Sequence, residues 1–340
     1  MKKARRMEKN IDFNQKQEEV TVKKAPAEGV FPRGFYVTTN LPTYARYNNQ
    51  WHKVRDQEMD CGIKIEGDKA RCITINEVKK GDLIVTGEAG LEVKTVKKEN
   101  KTEKEFEFMG SAVSAEKSKG QLIKDISLEI KSIKEKGGRI VVVGGPAVIH
   151  TGAGKYLAGL IAAGYIDCLF AGNALATHDI ESALYGTSLD IPLKDEAAEM
   201  SHGYHLKAIN KIRKAGSITE AVKKGILNEG IMYSAVKNNV DYVLAGSIRD
   251  DGPLPDVITD TVEAQQKMRE KAAGADMVIM LATMLHAIAT GNLLSADVKT
   301  VCVDINSDTV TKLADRGTGQ AKGLVTDVEL FLQALYRELV

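Results

Sequence analysis

RIVVVGGPAVIHTGAGKYLAGLIAAGYIDCLFAGNALATHDIE, residues 139–181, is the stretch on which the fold turns. It holds two short runs, IVVVG at 140–144 and IDCLFAG at 166–172, that are apolar at nearly every position and not at every second one. A strand with one wet face alternates. A strand apolar throughout must be covered on both faces, as the strands of a parallel sheet are by their crossover helices. Three more such runs follow, YVLAGS at 242–247, MVIMLAT at 277–283 and VCVDI at 301–305, with helical stretches between them. Upstream, Leu122, Ile123, Ile126, Ile130 and Ile133 recur at three- and four-residue steps until Gly137-Gly138 stop the helix. Near the end, Phe331, Leu332 and Leu335 share one helical face behind Thr326 and Glu329, which are spaced as a capping box. The expectation is α/β: an open parallel sheet with helices on both faces, over residues 119–340.

Toward the N-terminus the pattern changes. Residues 29–93 contain FYVTT, ARCITI and DLIVTGEAGLEVKTV, short runs rich in β-branched residues and separated by Asn-Asn, Gly-Asp and Glu-Gly turn signals, which predicts a small β-rich domain. Residues 94–118 read as a charged linker and residues 1–28 as a flexible arm. Two domains suit a chain of 340 residues, more than one core usually serves. At 43% hydrophobic and 27% charged residues, wholesale disorder and a disulfide scaffold are both excluded. With 47 basic and 46 acidic side chains there is no field to gather nucleic acid or an anionic membrane. No apolar run reaches the roughly 18 to 20 residues of a membrane helix, so a cytoplasmic protein is expected. Cys61, Cys72, Cys168 and Cys302 stand alone without zinc spacing. Cys168 and Cys302 lie in apolar runs as buried thiols, while Cys61 and Cys72 leave a nucleophilic role open. His202 and His205 sit three apart, but no further ligands accompany them, and no metal is expected.

In an open parallel sheet, ligands bind outside the carboxyl ends of the strands, where loops converge and helix N-termini present free N–H groups. Those ends read Gly144-Gly145-Pro146, Asn173-Ala174, Arg249-Asp250-Asp251-Gly252, Thr283-Met284-Leu285-His286 and Asp304-Ile305-Asn306. Familiar nucleotide motifs fail here. Gly152-Ala153-Gly154-Lys155-Tyr156-Leu157 lacks the third glycine of G-x-G-x-x-G, and the P-loop register around Lys155 puts Tyr156 where Mg²⁺ needs a hydroxyl of Ser or Thr. Asp304 closes an apolar strand with a carboxylate, which suits a ribose diol and repels a 2′-phosphate; it could instead cap the following helix. His286 could be a core histidine at a strand-to-helix junction, and Asp327 could merely favour a helix dipole. Arg249, Asp250, Asp251, Asp256 and Asp260 crowd one loop, suited to bind an amine or move protons, with helix capping the alternative for the later pair. From charge and position, Lys155 or Arg249 is the candidate for a substrate carboxylate and Asp250 the candidate base.

GFYVTTNLPTYAR at 34–46, the run from Trp51 to Asp60, VVVGGPAVIHTGAG, AGNALATHDIE, GIMYSAVKNNVDYVLAGSIRDDGPLPDVITD, MLATMLHAIATGN and VCVDINSDTVTKLADRG together resemble the archaeal-type ornithine cyclodeaminases. This family, also described as the LOR/SDH bifunctional-enzyme conserved region, supplies the C-terminal half of the cyanobacterial arginine dihydrolase and ornithine cyclodeaminase fusion. The resemblance spans residues 30–340; the dihydrolase half has no counterpart in it, so arginine hydrolysis is not expected. It implies an NAD-binding domain like that of deoxyhypusine synthase. The implied NAD contacts are Asn173, Ala174, Asp251, Thr283, Met284, Leu285, His286, Asp304, Asp327 and Val328, with Gly145 beside them at the first strand end. It implies conversion of L-ornithine to L-proline and ammonia with the hydride recycled, and a homo-oligomer, with a tetramer as the expected state. Two other functions fit the same cofactor site: an amine or amino-acid dehydrogenase of saccharopine or deoxyhypusine type, and a non-catalytic NAD-sensing module.

Overall fold

The computed structural model describes residues 18–94, 119–188, 191–192, 203–250, 252–315 and 322–340. Described residues up to Lys94, with Asn292–Asp297, form one compact unit, and the remainder form a second.

The first unit holds β1 (Thr21–Lys24), β2 (Thr43–Tyr47), β3 (Gln50–Lys53), β4 (Gly62–Glu66), β5 (Lys69–Ile73), β6 (Leu83–Thr86) and β7 (Leu91–Val93). They make two antiparallel sheets, ordered β1-β6-β4-β5 and β3-β2-β7. Both tight hairpins follow from turn chemistry. Asn48 and Asn49 take left-handed φ of 52° and 60° between Tyr47 and its partner Gln50, and Gly67-Asp68 joins Glu66 to its partner Lys69. Ala45, Val54, Ile63, Ile65 and Val85 form the core. Residues 21–24 had been expected in a flexible arm; instead Thr21–Lys24 pair along β6, with Val20 buried at 6% exposure. The Val20-Thr21-Val22 alternation is too short to stand out from its charged neighbours, and only the waiting edge of β6 makes it a strand. The expected linker lies almost wholly outside the described residues.

The second unit opens with α1 (Lys119–Glu135) and β8 (Ile140–Gly144). Next come α2 (Ala147–His150), α3 (Gly154–Ala162), β9 (Cys168–Gly172), α4 (Asn173–Tyr185) and the two-residue strands β10 (Thr187–Ser188) and β11 (Ile191–Pro192). They are followed by α5 (Tyr204–Ala215), α6 (Ile218–Lys223), α7 (Ile231–Lys237), β12 (Asp241–Ala245), β13 (Val257–Ile258) and α8 (Thr261–Ala272). Then come β14 (Met277–Leu281), α9 (Leu285–Leu293), β15 (Lys299–Asp304), α10 (Ser307–Asp315), β16 (Lys322–Val325) and α11 (Val328–Leu339).

Seven strands form one parallel sheet in the order β13-β12-β9-β8-β14-β15-β16. Ile140 and Val142 face a core shared with Ile126, Ile130, Leu157, Leu160, Phe331 and Leu332, while Val141 and Val143 on the opposite face are equally buried at 0% exposure. Each such side chain contributes about 1.5 to 3 kcal/mol on burial, so neither face could be left wet. β13 and β16 add edge strands that the five apolar runs do not announce, because one has two residues and the other is only KGLV.

One helix boundary differs from expectation. The cap of α11 is Asp327, whose carboxylate accepts from the N–H groups of Glu329 (2.7 Å) and Leu330 (3.3 Å). Thr326 is not the cap, because its own N–H is bonded to the Asp304 carbonyl at 3.1 Å and keeps it in the chain leading from β16.

Candidate functional site

β8 pairs with β9 on one side and β14 on the other, so the chain's path across the sheet reverses between β8 and β14. At such a switch point the loops leave in opposite directions and open a crevice at the carboxyl ends. Gly145 stands at its base. Its N–H donates to the Leu281 carbonyl at 2.9 Å, and a Cβ there would overlap the Ala282 carbonyl oxygen and stand 2.8 Å from its carbon. Ala282 holds φ at +48°, a strained backbone for alanine, and the residues after it, Thr283 to His286, lead into α9.

His286 is not the satisfied core histidine that its sequence context allowed. Its Nε2 is buried with no hydrogen-bond partner among the described residues, and burial pushes the imidazole down to about 4, so the ring is neutral at pH 7. Leu285 beside it, the first residue of α9, is an apolar side chain 81% exposed. Met284 lies 3.9 Å from the Lys312 ammonium.

Asp304 ends β15 at 9% exposure. Its Oδ1 accepts from the Asn306 N–H at 2.8 Å, while Asn306 in turn accepts from Asp308 N–H at the start of α10. Asn306 thus serves the helix, and Asp304 is not its cap.

On the other side, Asn173 opens α4 directly at the end of β9, where helix N–H groups lack intrahelical partners, and Ala174 is exposed beside it. The Asn173 amide is held at both ends: Oδ1 accepts from Leu254 N–H (3.1 Å) and the Thr177 hydroxyl (3.2 Å), and Nδ2 points to Asp250 Oδ1 at 3.4 Å. Asp250 also accepts from Ser247 N–H at 2.8 Å, closing a turn that leaves Arg249 exposed. The structure therefore brings Asn173 and Asp250 together. Lys155 is exposed at the start of α3, with its ammonium 4.9 Å from the Tyr156 ring centroid; among the described residues no hydrogen bond or ion pair joins it to Arg249 or Asp250. Asp251 and His202 lie outside the described residues.

The remaining acids of the loop are structural. Asp256 accepts from Ile218 N–H (2.9 Å) and the Tyr242 hydroxyl (3.0 Å), and Asp260 caps α8 through Val262 and Glu263. Asp327 likewise has its Oδ1 committed to α11, and Val328 is buried at 4% exposure. All four cysteines are buried and outside any disulfide; burial raises the thiols of Cys72 and Cys168 to about 11 and of Cys302 to about 12, which removes the thiolate a nucleophile needs at those three.

A second polar group was missed in the sequence reading. His178 and Glu181, one turn apart on α4, are buried and bonded (2.9 Å), with the His150 ring 4.9 Å from that of His178. The H-D-I-E spacing was the available signal.

Two family descriptions match the chain: "Arginine dihydrolase ArgZ-like, C-terminal, Rossmann fold" over residues 124–335, and "Arginine dihydrolase ArgZ-like, C-terminal, first region" over residues 42–123. The ornithine cyclodeaminase of Methanocaldococcus jannaschii is 56% identical, covering 95% of this chain and 78% of its own. Among solved structures, a LOR/SDH protein from Methanococcus maripaludis superposes with a TM-score of 0.90 at 51% identity, over 95% of this chain and 98% of that one. The ternary complex of AgrE with ornithine and NAD+ superposes with a TM-score of 0.62 at 40% identity, over 97% of this chain and 47% of that one.

Proposed function

Because the chain belongs to the ArgZ-like C-terminal family, which takes in the archaeal ornithine cyclodeaminases, we propose that it is an NAD-dependent ornithine cyclodeaminase, forming L-proline and ammonia from L-ornithine. The observation that carries this reading furthest is a relative at 40% identity that holds ornithine and NAD+ together.

The residues of the crevice fit the dinucleotide. Gly145 lets the end of β8 lie against Ala282 at the end of β14, which shapes the base of the crevice and which any side chain would block; the N-terminus of α4 supplies N–H groups without intrahelical partners, and His286 has a buried nitrogen that still needs a partner among the described residues. Asp304 offers a carboxylate to the ribose hydroxyls and a repulsive charge to a 2′-phosphate. Bound there, NAD⁺ takes a hydride from C2 of ornithine and gives it back after ring closure, so it is not consumed. The protein's share is to hold the δ-amine within reach of C2, since closing a five-membered ring from a fixed geometry replaces a bimolecular encounter. Asp250, held by Asn173 and the Ser247 N–H, is the carboxylate that meets a substrate ammonium and accepts its proton, with Arg249 or Lys155 for the substrate carboxylate. The same reading takes the enzyme as a cytoplasmic homo-oligomer, a tetramer, acting in proline formation.

Incubation with ornithine and substoichiometric NAD⁺ tests the reaction. Proline and ammonia should rise together through many turnovers with no lasting NADH. Stoichiometric NADH would mean a dehydrogenase, and NAD⁺ binding without product a sensing module. Asp304→Ala should weaken NAD⁺ binding by about 1 to 3 kcal/mol and reduce the preference over NADP⁺, through loss of a charge-assisted hydrogen bond. Calorimetry with unchanged affinity would remove Asp304 from the site.

A further inference from the structure

The geometry points to His150 as an acid–base residue of this site, with His178, Glu181 and Thr187 as the residues that position it and tune its proton. This rests on the cyclodeaminase reading and adds a proton carrier for the α-nitrogen beside the candidate base Asp250.

His150 is the last residue of α2, the single helical turn that follows Gly144-Gly145-Pro146 at the switch point, and it is half-buried. Behind it lies a chain of interior polar groups. Its ring meets that of His178 with centroids 4.9 Å apart and planes tilted by 58°. His178 Nδ1 is 2.9 Å from Glu181 Oε2, and Glu181 Oε1 accepts the Thr187 hydroxyl at 3.0 Å. Glu181 is 0%, Thr187 1% and His178 8% exposed. A carboxylate this deep is tolerated only with hydrogen-bond donors on it, and both of its oxygens have one. Because a carboxylate only accepts, Nδ1 of His178 carries the hydrogen of this bond, which fixes the orientation of its ring. An oriented imidazole backed by a carboxylate and set against a second, more accessible imidazole is the arrangement that acid–base catalysis requires.

The ionisable groups packed around His150 are His178 and Glu181 from α4; from α11, Glu329 has its Oε1 3.8 Å from where a Cβ on Gly152 would stand. Burial first, and then His178, hold the His150 imidazole below its ordinary value, while Glu181 pulls it upward. Burial thus favours the neutral imidazole, the form that takes a proton.

Ornithine arrives with its amines protonated, since such amines titrate near pH 10. The His150 imidazole takes a proton from the α-ammonium, and the N–H electron pair becomes the nitrogen lone pair that drives hydride from C2 to NAD⁺. Asp250, the candidate base, takes one proton from the δ-ammonium, and the freed lone pair adds to C2; the ring nitrogen then gives up a second proton to solvent, and the imidazolium returns its proton to the α-nitrogen. The C2–N bond breaks with its electrons going to nitrogen, and ammonia leaves. The hydride then returns to C2 of the cyclic iminium, Asp250 hands its proton to the ring nitrogen to give proline, and His150 ends the cycle as it began.

Four measurements on the full-length chain test this. First, wild type is assayed for proline from ornithine; if none forms, the cyclodeaminase reading itself has failed. Given activity, His150→Ala should bind NAD⁺ within about twofold of wild type by calorimetry and lose about 100-fold or more in kcat. It should also lose the acidic limb of its kcat/KM profile and recover turnover on addition of imidazole. His150→Asn, which keeps more of the volume, gives the same reading if the alanine chain does not fold. Second, Glu181→Gln should move the acidic limb to lower pH, because the carboxylate that raises the His150 pKa is gone. Third, ¹⁵N NMR of the protein alone should show His178 protonated at Nδ1. Fourth, melting temperatures show whether any loss is merely structural. The proposal is overturned if His150→Ala keeps turnover within threefold with its acidic limb in place. It is also overturned if lost turnover comes with lost NAD⁺ binding and no imidazole rescue, or if His178 carries no hydrogen at Nδ1.

Discussion

Asp179→Ala is expected to lower the melting temperature of the α/β unit by roughly 6 to 12 °C, at about 2 to 4 °C per kcal/mol for a unit of this size. Asp179 is 3% exposed, and its two oxygens accept from the N–H groups of Ile231 and Met232, each at 2.8 Å. These are the first donors of α7, whose own cap residue is Gly230 and has no side chain to offer. Asp179 caps α7 from another helix, and alanine would strand both donors in the interior at about 1.5 kcal/mol apiece, about 3 kcal/mol in all. Burial raises the Asp179 carboxyl from 3.8 to about 6, against the two hydrogen bonds that favour its charged form. Because the raised value lies above that of the unfolded chain, the native state holds a proton between those limits that the unfolded state has lost. The contribution of this group to stability is therefore fullest below pH 4, falls as pH rises to about 6, and is level above. Melting curves from pH 4 to 7 should show this downward slope in wild type relative to Asp179→Asn. A variant that melts with wild type at every pH would show that α7 does not depend on this cap.

Gly145→Ala should weaken NAD⁺ binding by about 2 to 3 kcal/mol, roughly 30- to 150-fold, and cost about 1 to 3 kcal/mol in stability as an overpacked site. The added methyl would meet the Ala282 carbonyl group and, at 3.0 Å, the Thr283 Cβ, so the obstacle is largely backbone, which cannot turn aside as a flexible side chain can. Relief requires the end of β8 to move from the end of β14, which breaks the Gly145 to Leu281 hydrogen bond at the base of the crevice. Gly152→Ala is the internal comparison. It strains a φ of +81° but its Cβ would meet nothing nearer than 3.8 Å, so stability should fall with far less effect on NAD⁺. Equal NAD⁺ affinities for wild type and Gly145→Ala would place the nucleotide away from the switch point.

The five apolar runs were legible as covered strands because burial on both faces leaves no position for a polar residue, a constraint written into every letter of IVVVG and MVIML. The strand ends were legible for the same reason: Gly145, Asn173, Thr283 and Asp304 are where that constraint lapses. Short or context-dependent elements were not. Thr21–Lys24 became a strand because β6 offered an edge, and the α11 cap fell on Asp327 because Thr326 was engaged by Asp304. Asp250 and Asn173 were both singled out, yet nothing in a separation of 77 residues says that their side chains meet.

What the sequence determined by itself was the set of elements and the edge of the sheet where chemistry gathers, since both follow from local periodicity and from the punctuation after each run. What only the tertiary structure decided was adjacency. The strand order places β8 beside both β9 and β14 and so creates the switch point, and helix packing sets His150 against His178 and Asp179 beneath α7. Partners distant in the chain are chosen by how the buried faces fit together, a property of the whole core that no local pattern contains.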